Sequence, residues 1–264
     1  MLIKMSKETI LYFLTYFILY SVVGWILESI YKSVGQKKLI NSGFLIGPVC
    51  PIYGFGAIIM ILCLEYLKDD PILLFIVAFF VLSIWEYIVG LLLEKVFKTR
   101  YWDYSHLKFN IKGRVCLKNS LYWGILGSIF ILYIHPMVKT IVIQIPLPIL
   151  VYSNLLIFIW LFTDLIISIQ AIISFEKAVD KINELGETIK EKLEEAKKNA
   201  QGNTNINNVI RKLNIKQTKL KLKLYRQANR LKHAFPSMKS EVITTFLNQK
   251  VDFKNLKDSI KNKE

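Results

Sequence analysis

Apolar residues along the chain gather into runs long enough for a bilayer core, which takes about 20 residues per helix. Five such runs stand out: Ile10 to Tyr31, Phe44 to Leu67, Ile72 to Phe97, Leu117 to Ile134 and Ile149 to Ile173. The fourth is short, and Lys118 at its start must snorkel to an interface. Beyond Ser174 the pattern changes. Ala178, Ile182, Leu185, Ile189, Leu193 and Ala196 recur at spacings of three and four with Glu and Lys between them, which predicts a helix carrying a coiled-coil-like seam. Gln201-Gly202-Asn203-Thr204-Asn205 breaks that helix, and a second is expected from Ile206 to Ala234, ended by Pro236. Met238 to Leu256 is expected to add another turn or two. The predicted fold class is all-α: a polytopic membrane helix bundle of five spans in residues 1–173, then a helical hairpin or coiled coil in residues 174–264.

Composition agrees with that division. The 264 residues are 53% hydrophobic yet carry a formal charge of +15, a pairing foreign to an ordinary soluble domain. Residues 1–173 hold 14 Lys/Arg and 9 Asp/Glu, whereas residues 174–264 hold 21 and 11, so the tail alone is +10. Cytoplasmic loops collect Lys and Arg. With five spans, one face receives Lys4, Lys7, Lys68 and Lys139, and the other receives Lys32, Lys37, Lys38 and seven residues from Lys95 to Lys118. Ten against four places the N-terminus outside and the C-terminus in the cytoplasm. The first apolar run continues past a signal-peptide core with no small-residue cleavage site, so it is expected to remain as a helix. Cys50, Cys63 and Cys116 form no CxxC pair and read as reduced packing residues.

Shifting the sequence by 66 residues lays Val23 to Lys32 on Val89 to Lys98, with half of the ten positions identical, and Gly47-Pro48-Val49-Cys50 on Gly113-Arg114-Val115-Cys116. This suggests a duplicated helical hairpin, with repeat halves at 10–67 and 72–134 and a fifth span at 149–173. Both first helices of the hairpins run in the same sense, so the repeats are parallel. Glu28 and Glu94 become symmetry mates near the cytoplasmic ends of their helices. Chance alignment of apolar segments is the competing explanation.

Ionisable groups inside a span are costly and are functional candidates by default. Glu86 and Asp164 fall near the middle of the third and fifth spans. Glu86 and Glu94 are eight residues apart, about 80° around a helix, so both can face one interior. With Glu28 and Arg114 they make a candidate polar site that could bind a cation, relay protons or simply hold helices together. Gly43 to Gly56, with two prolines and four glycines, predicts a kinked or partly unwound start to the second span. The loop containing Arg100, Trp102, Asp103 and Tyr104 sets aromatics beside both charges and is a candidate interfacial belt. Arg114 after it is a natural counter-ion for Glu28 and Glu94, or a clamp for phosphate or carboxylate.

No GxxxxGK[ST], HExxH or GxSxG sequence occurs, and His106, His135 and His233 are too scattered for a metal site. No enzymatic activity, cofactor or catalytic residue is expected. The basic tail suits anionic lipid head groups better than nucleic acid, for which it has no binding module.

Gly24-Trp25 with Glu28, Gly43-Phe44-Leu45 with Gly47-Pro48, Pro51-Ile52-Tyr53-Gly54, Glu86-Tyr87, and Arg100 to Ser105 followed by Gly113-Arg114 resemble the family described as "Putative ABC-transporter type IV". The resemblance covers roughly residues 10–140 and touches Ala234 to Ser240. It implies a bacterial inner-membrane protein, a permease subunit among the possibilities, and brings no substrate with it. Two functions stay open. One is a permease-like component with no ATPase of its own, which must borrow a separate ATPase subunit. The other is a membrane scaffold or regulator whose tail recruits cytoplasmic partners or forms a homo-oligomer.

Overall fold

The computed structural model describes residues 6–198 and 204–248. By its contacts the chain divides into two units, Met1–Ser168 with His233–Lys239, and Ile169–Lys232 with Ser240–Glu264. The contact boundary falls a few residues before Ser174, and a short piece of the tail groups with the apolar unit.

Four helices in the described residues are long and apolar enough to cross a membrane: Lys7–Gln36, Pro71–Phe97, Leu117–Val142 and Leu147–Phe175. The second predicted run forms a shorter element. Helix α2 spans Pro51–Leu64, fourteen residues, and a three-residue 3-10 turn follows it. Residues 43–50 before it are not helical. Pro48 and Pro51 deny donors to a helical ladder there, and Gly43 adopts φ +95, which only glycine takes without strain.

Helix α1 (Lys7–Gln36) starts at Ser6, whose hydroxyl accepts from Thr9 N, and stops at Lys37 in the left-handed region, φ 51. It packs on α2 at a crossing of small residues. A methyl group at Gly24 would collide with the Tyr53 ring, and one at Gly54 with Ser21 and the Phe17 carbonyl. Such close approach is how helices associate where lipid supplies no hydrophobic drive. Helix α3 (Pro71–Phe97) is capped by Asp70, which accepts from the amides of Ile72 and Leu73. It pairs with α4 (Leu117–Ile129), where Gly124 admits Phe75 and Gly127 admits Ala78. Between them residues 110–116 fold into a small hairpin, β1 (Asn110–Ile111) antiparallel to β2 (Val115–Cys116).

Past Ile129 the chain widens into a π-helical stretch, Phe130–Ile134, and continues as α5 (His135–Val142). Pro136 has no N–H to give back, which is a common cause of such a bulge. The buried His135 Nδ1 meets the Tyr20 hydroxyl at 3.0 Å.

Helix α6 (Leu147–Lys198) crosses the unit boundary without a break. Its first part joins the first unit through Asn154, which donates to Leu11 O and is paired with Thr15, and through Leu161, which packs with Phe17 and Leu45. Outward-facing Leu27, Ile84 and Leu156 remain more than half exposed, as a lipid-facing surface requires.

In the second unit, Gln227 donates to Ala171 O at 2.6 Å and Gln217 to Ile182 O at 2.9 Å, so α7 (Thr204–Ala234) runs antiparallel to the end of α6. Helix α8 (Glu241–Asn248) lays Phe246 edge-on against Phe175 at 5.6 Å. Most of the predicted break at Gln201 to Asn205, and the stretch from residue 249 to Leu256, lie outside the described residues.

Candidate polar site

Glu94 sits in the last turn of α3, where the helix dipole opposes a carboxylate. Two arginines offset it. Arg100 Nη2 donates to Oε1 at 3.0 Å, and Arg114 reaches Oε2 through Nε at 3.0 Å and Nη2 at 2.8 Å. The chain can do this because Lys98 turns left-handed, φ 49, and ends α3, and the hairpin then carries Arg114 back along the helix. Arg114 is held from three other directions. Its Nη1 donates to the Tyr87 hydroxyl at 3.3 Å, its guanidinium lies 5.3 Å from the Tyr87 ring centre, and its carbonyl accepts from Trp102 Nε1 at 2.8 Å.

Asp103 extends the network. It accepts from Ser105 N at 3.1 Å and Ser105 Oγ at 2.9 Å, and forms ion pairs with Arg100 and Lys239. Burial alone would raise its carboxyl, but the Lys239 ammonium and the Ser105 donors outweigh burial and hold it well below the ordinary carboxylate range.

Glu86 lies deeper and is buried. Tyr104 OH donates to its Oε1 at 3.2 Å and Trp123 Nε1 to its Oε2 at 3.0 Å, and no cation among the described residues pairs with it. Glu28 has its own partner: Lys32, one turn on, at 2.5 Å. Cys50 Sγ donates to Glu28 at 3.8 Å from the start of α2. Asp164 stands apart. Its two oxygens accept from the backbone amides of Ile46 at 3.2 Å and Gly47 at 2.8 Å, so it serves the donors that the non-helical segment 43–50 leaves free.

The structure therefore joins Glu94, Arg100, Asp103 and Arg114 in one cluster, leaves Glu86 to Tyr104, the residue after Asp103, and to Trp123, gives Glu28 to Lys32, and assigns Asp164 to the segment before α2. Trp102 braces Arg114 and fits against Gly90, where a methyl group would approach it to 3.1 Å.

The segment that the family resemblance touched in the tail, not expected at this site, supplies a strap: residues 233–239 belong to the same unit. Arg100 and Lys239 exchange backbone hydrogen bonds of 2.9 and 2.8 Å. Ser237 Oγ accepts from Asp103 N at 3.3 Å. The Phe235 ring meets Tyr101 edge-on at 4.9 Å and lies 4.9 Å from Lys32 Nζ, which also donates to the Ala234 carbonyl. Gln36 Nε2 donates to His233 O at 3.0 Å, and His233 Nδ1 pairs with Gln36 Oε1 at 3.0 Å while Nε2 faces Lys38 Nζ at 2.5 Å. Burial and the Lys38 ammonium lower the His233 imidazole below its usual value. Among the described residues no group of three His, Cys, Asp or Glu could hold a metal ion.

These features define a class: an apolar, multi-pass helical membrane protein with a paired ionic cluster where α3 ends and a strap across it. The family model described as "Putative ABC-transporter type IV" matches residues 15–169, more than half of the chain, and the chain belongs to that family. Neither curated proteins nor solved structures gave a match. Family and helices together fit a membrane protein related to transport.

Proposed function

We propose that the chain is a permease-like transport component of the bacterial inner membrane, with no ATPase of its own, and that the cluster around Glu94 and the strap closes its cytoplasmic side. The observation that carries this reading is the sharing of Glu94 between Arg100 and Arg114, with Asp103 joining Arg100 to Lys239 of the strap. A paired network at one end of a membrane bundle is cheap to hold closed and, once one pair is broken, is unstable enough to open. Glu86 behind it, bound by two neutral donors, is the group that a passing cation or proton would meet.

The same reading takes Pro51–Leu67 as a fifth span, with the N-terminus outside and the C-terminus in the cytoplasm, supported by the ten-to-four division of basic residues. It also takes the two hairpins as a repeat. Cys50 begins α2 and Cys116 begins α4, at the aligned positions, and each of the aligned glutamates Glu28 and Glu94 pairs with a cation. In the tail, the antiparallel course of α7 supports a helical hairpin, and its seam could join two copies.

A scaffold or regulatory role is the second reading, and the strap favours it, because a tail that grips the membrane unit could pass on what it binds. Purification of the tagged chain from its native cell in mild detergent separates the two. A stoichiometric ATPase supports the permease component. Recovery alone, or with non-ATPase partners only, moves the assignment to the scaffold.

A further inference from the structure

Glu86 stands eleven residues before Phe97 on α3, about 16 Å from that end of the helix at about 1.5 Å per residue, and is buried in a segment apolar enough to cross a membrane. No cation among the described residues pairs with it. Burying a lone carboxylate is costly, and hydrogen bonds from two neutral donors offset only part of that cost. Taking up a metal cation or a proton offsets the rest.

The neighbours decide which. A hard metal cation gathers several oxygens whose lone pairs turn toward it. Around Glu86 the polar groups turn hydrogens inward instead. Trp123 Nε1 has a hydrogen and no lone pair to offer, and it points at Oε2 at 3.0 Å. The hydroxyls of Ser83, one turn back on α3, and Ser120 of α4 are spent on each other at 2.6 Å and on the Phe79 carbonyl. A proton needs only one lone pair and one acceptor beside it, and the other oxygen of Glu86 has both. Tyr104 Oη lies 3.2 Å from Oε1, and a tyrosine hydroxyl either donates or accepts. With the carboxylate ionised, Tyr104 donates to it; with the carboxyl protonated, Oε1–H donates to Oη. The Trp123 bond is the same in both states, because an indole N–H requires an acceptor. The proton therefore belongs on Oε1, and Oε2 stays the carbonyl oxygen. The Tyr104 backbone is fixed on both sides, its amide donating to Gly113 O at 2.8 Å and its carbonyl accepting from the Leu107 amide at 2.8 Å.

The titratable groups beyond this pair bring it no positive charge. Glu28 of α1 and Cys116 of β2 lie within electrostatic reach of the Tyr104 hydroxyl, and the Tyr53 ring of α2 meets that of Trp123 at 6.4 Å. Arg114 of the hairpin is bound to Glu94 and to Tyr87 of α3, and Lys118 of α4 lies over the Tyr122 ring. We propose that the ion this site takes up is a proton, carried on Glu86 Oε1 with Tyr104 Oη as its hydrogen-bond partner. The step is the addition of one proton to a carboxylate and its later release, with no other bond made or broken. It names the ion in the transport reading above and rests on that reading for the proton's movement, not for its binding.

The test is infrared difference spectroscopy of the full chain in lipid, between acid and alkaline buffer. A carboxyl protonated in an apolar site has its carbonyl stretch above that of solvated carboxyls, so its band is resolved from theirs. The wild type is expected to show one such band that comes and goes reversibly with pH, and Glu86→Gln to lose it. Trp123→Phe removes the hydrogen bond on Oε2 and is expected to raise the frequency of the band. That variant retains the carboxyl and keeps the result readable should Glu86→Gln not fold. Absence of the band from the wild type, a band that ignores pH, or its survival in Glu86→Gln overturns the proposal. So does a transition that moves when sodium replaces choline in the buffer, which gives the site to a metal cation, and an unchanged frequency in Trp123→Phe contradicts the placement on Oε1. These readouts concern a protein that nothing is crossing, so their failure is distinct from failure of the transport reading, which shows in the partners purified with the chain.

Discussion

Arg114 and Glu94 lie twenty residues apart in sequence and meet at 2.8 Å, the arginine returning from the hairpin to reach the carboxylate near the end of α3. The arginine side chain is 10% exposed and the glutamate 28%, so the pair is neither a surface ornament nor a fully dry bridge.

Removing both members should cost less than the two single removals added together. Arg114→Gln is expected to cost about 2 kcal/mol, between an exposed pair and a buried one, and Glu94→Gln with Arg114→Gln less than the sum of the singles. Thermal unfolding in detergent measures the cycle. Arg114→Lys should restore little, because one ammonium cannot replace the forked donors and the stacking on Tyr87. Additive single effects would mean that the two residues act independently.

Phe235→Ala removes an edge-on aromatic pair worth about 1 kcal/mol and the cation contact with Lys32. The expected readout is faster hydrogen exchange at the Arg100 and Lys239 amides, with helix α3 unchanged. Unaltered exchange at those two amides would show that the backbone bridge holds the strap alone.

Attachment of the strap should weaken in mild acid. His233 titrates below its unfolded value of about 6.5 because burial, then Lys38, disfavours the imidazolium. Its contribution is therefore complete above about pH 6.5 and is lost as pH falls through the lower folded value. Asp103 shifts the same way, but from 3.8, so it stays charged throughout that window and adds no slope. The protection of the Lys239 amide, the intrinsic exchange rate divided by the measured one at each pH, should fall between neutral pH and pH 5 in the wild type, and His233→Asn should flatten that dependence.

Glycine substitutions should divide by location. Gly54→Val drives side-chain atoms into Ser21 and the Phe17 carbonyl and is expected to prevent α1 and α2 from pairing. Gly35→Ala, with nothing within 4 Å, should be neutral or stabilising by about 0.5 kcal/mol as a better helix former. Melting temperatures of the two purified variants check the contrast.

Much of the fold was legible because apolar run length and charge runs record the solvent directly. Helices α1, α3 and the first part of α6 follow their predicted runs closely, and the Gly and Pro cluster at 43–56 foretold the non-helical segment before α2. Which cation meets which acid was less legible. Lys32 for Glu28 is an ordinary spacing of four, and Arg114 for Glu94 was among the expected pairings. By contrast, Asp164 binds backbone amides, and a backbone donor looks alike at every residue. The family resemblance touched Ala234 to Ser240, but where that strap docks was hidden for a related reason. Its grip on Arg100 is main chain to main chain, and Phe235, Ser237 and Lys239 form no periodic pattern that marks a docking segment.

The central claim is that the strap and the Glu94 cluster close one end of the membrane unit. Cys50 lies under Glu28, Glu28 under Lys32, and Lys32 binds the strap at Ala234, so Cys50 is a built-in probe. The direct measurement is labelling by a water-soluble maleimide in membranes, in a Cys63→Ser background that removes the exposed thiol. Closure predicts slow labelling of Cys50 and Cys116, and labelling at least about tenfold faster once Phe235→Ala and Lys239→Gln detach the strap, a barrier change of about 1.4 kcal/mol. Rapid labelling of Cys50 and Cys116 with the strap unaltered, or equal rates in both proteins, would contradict the account.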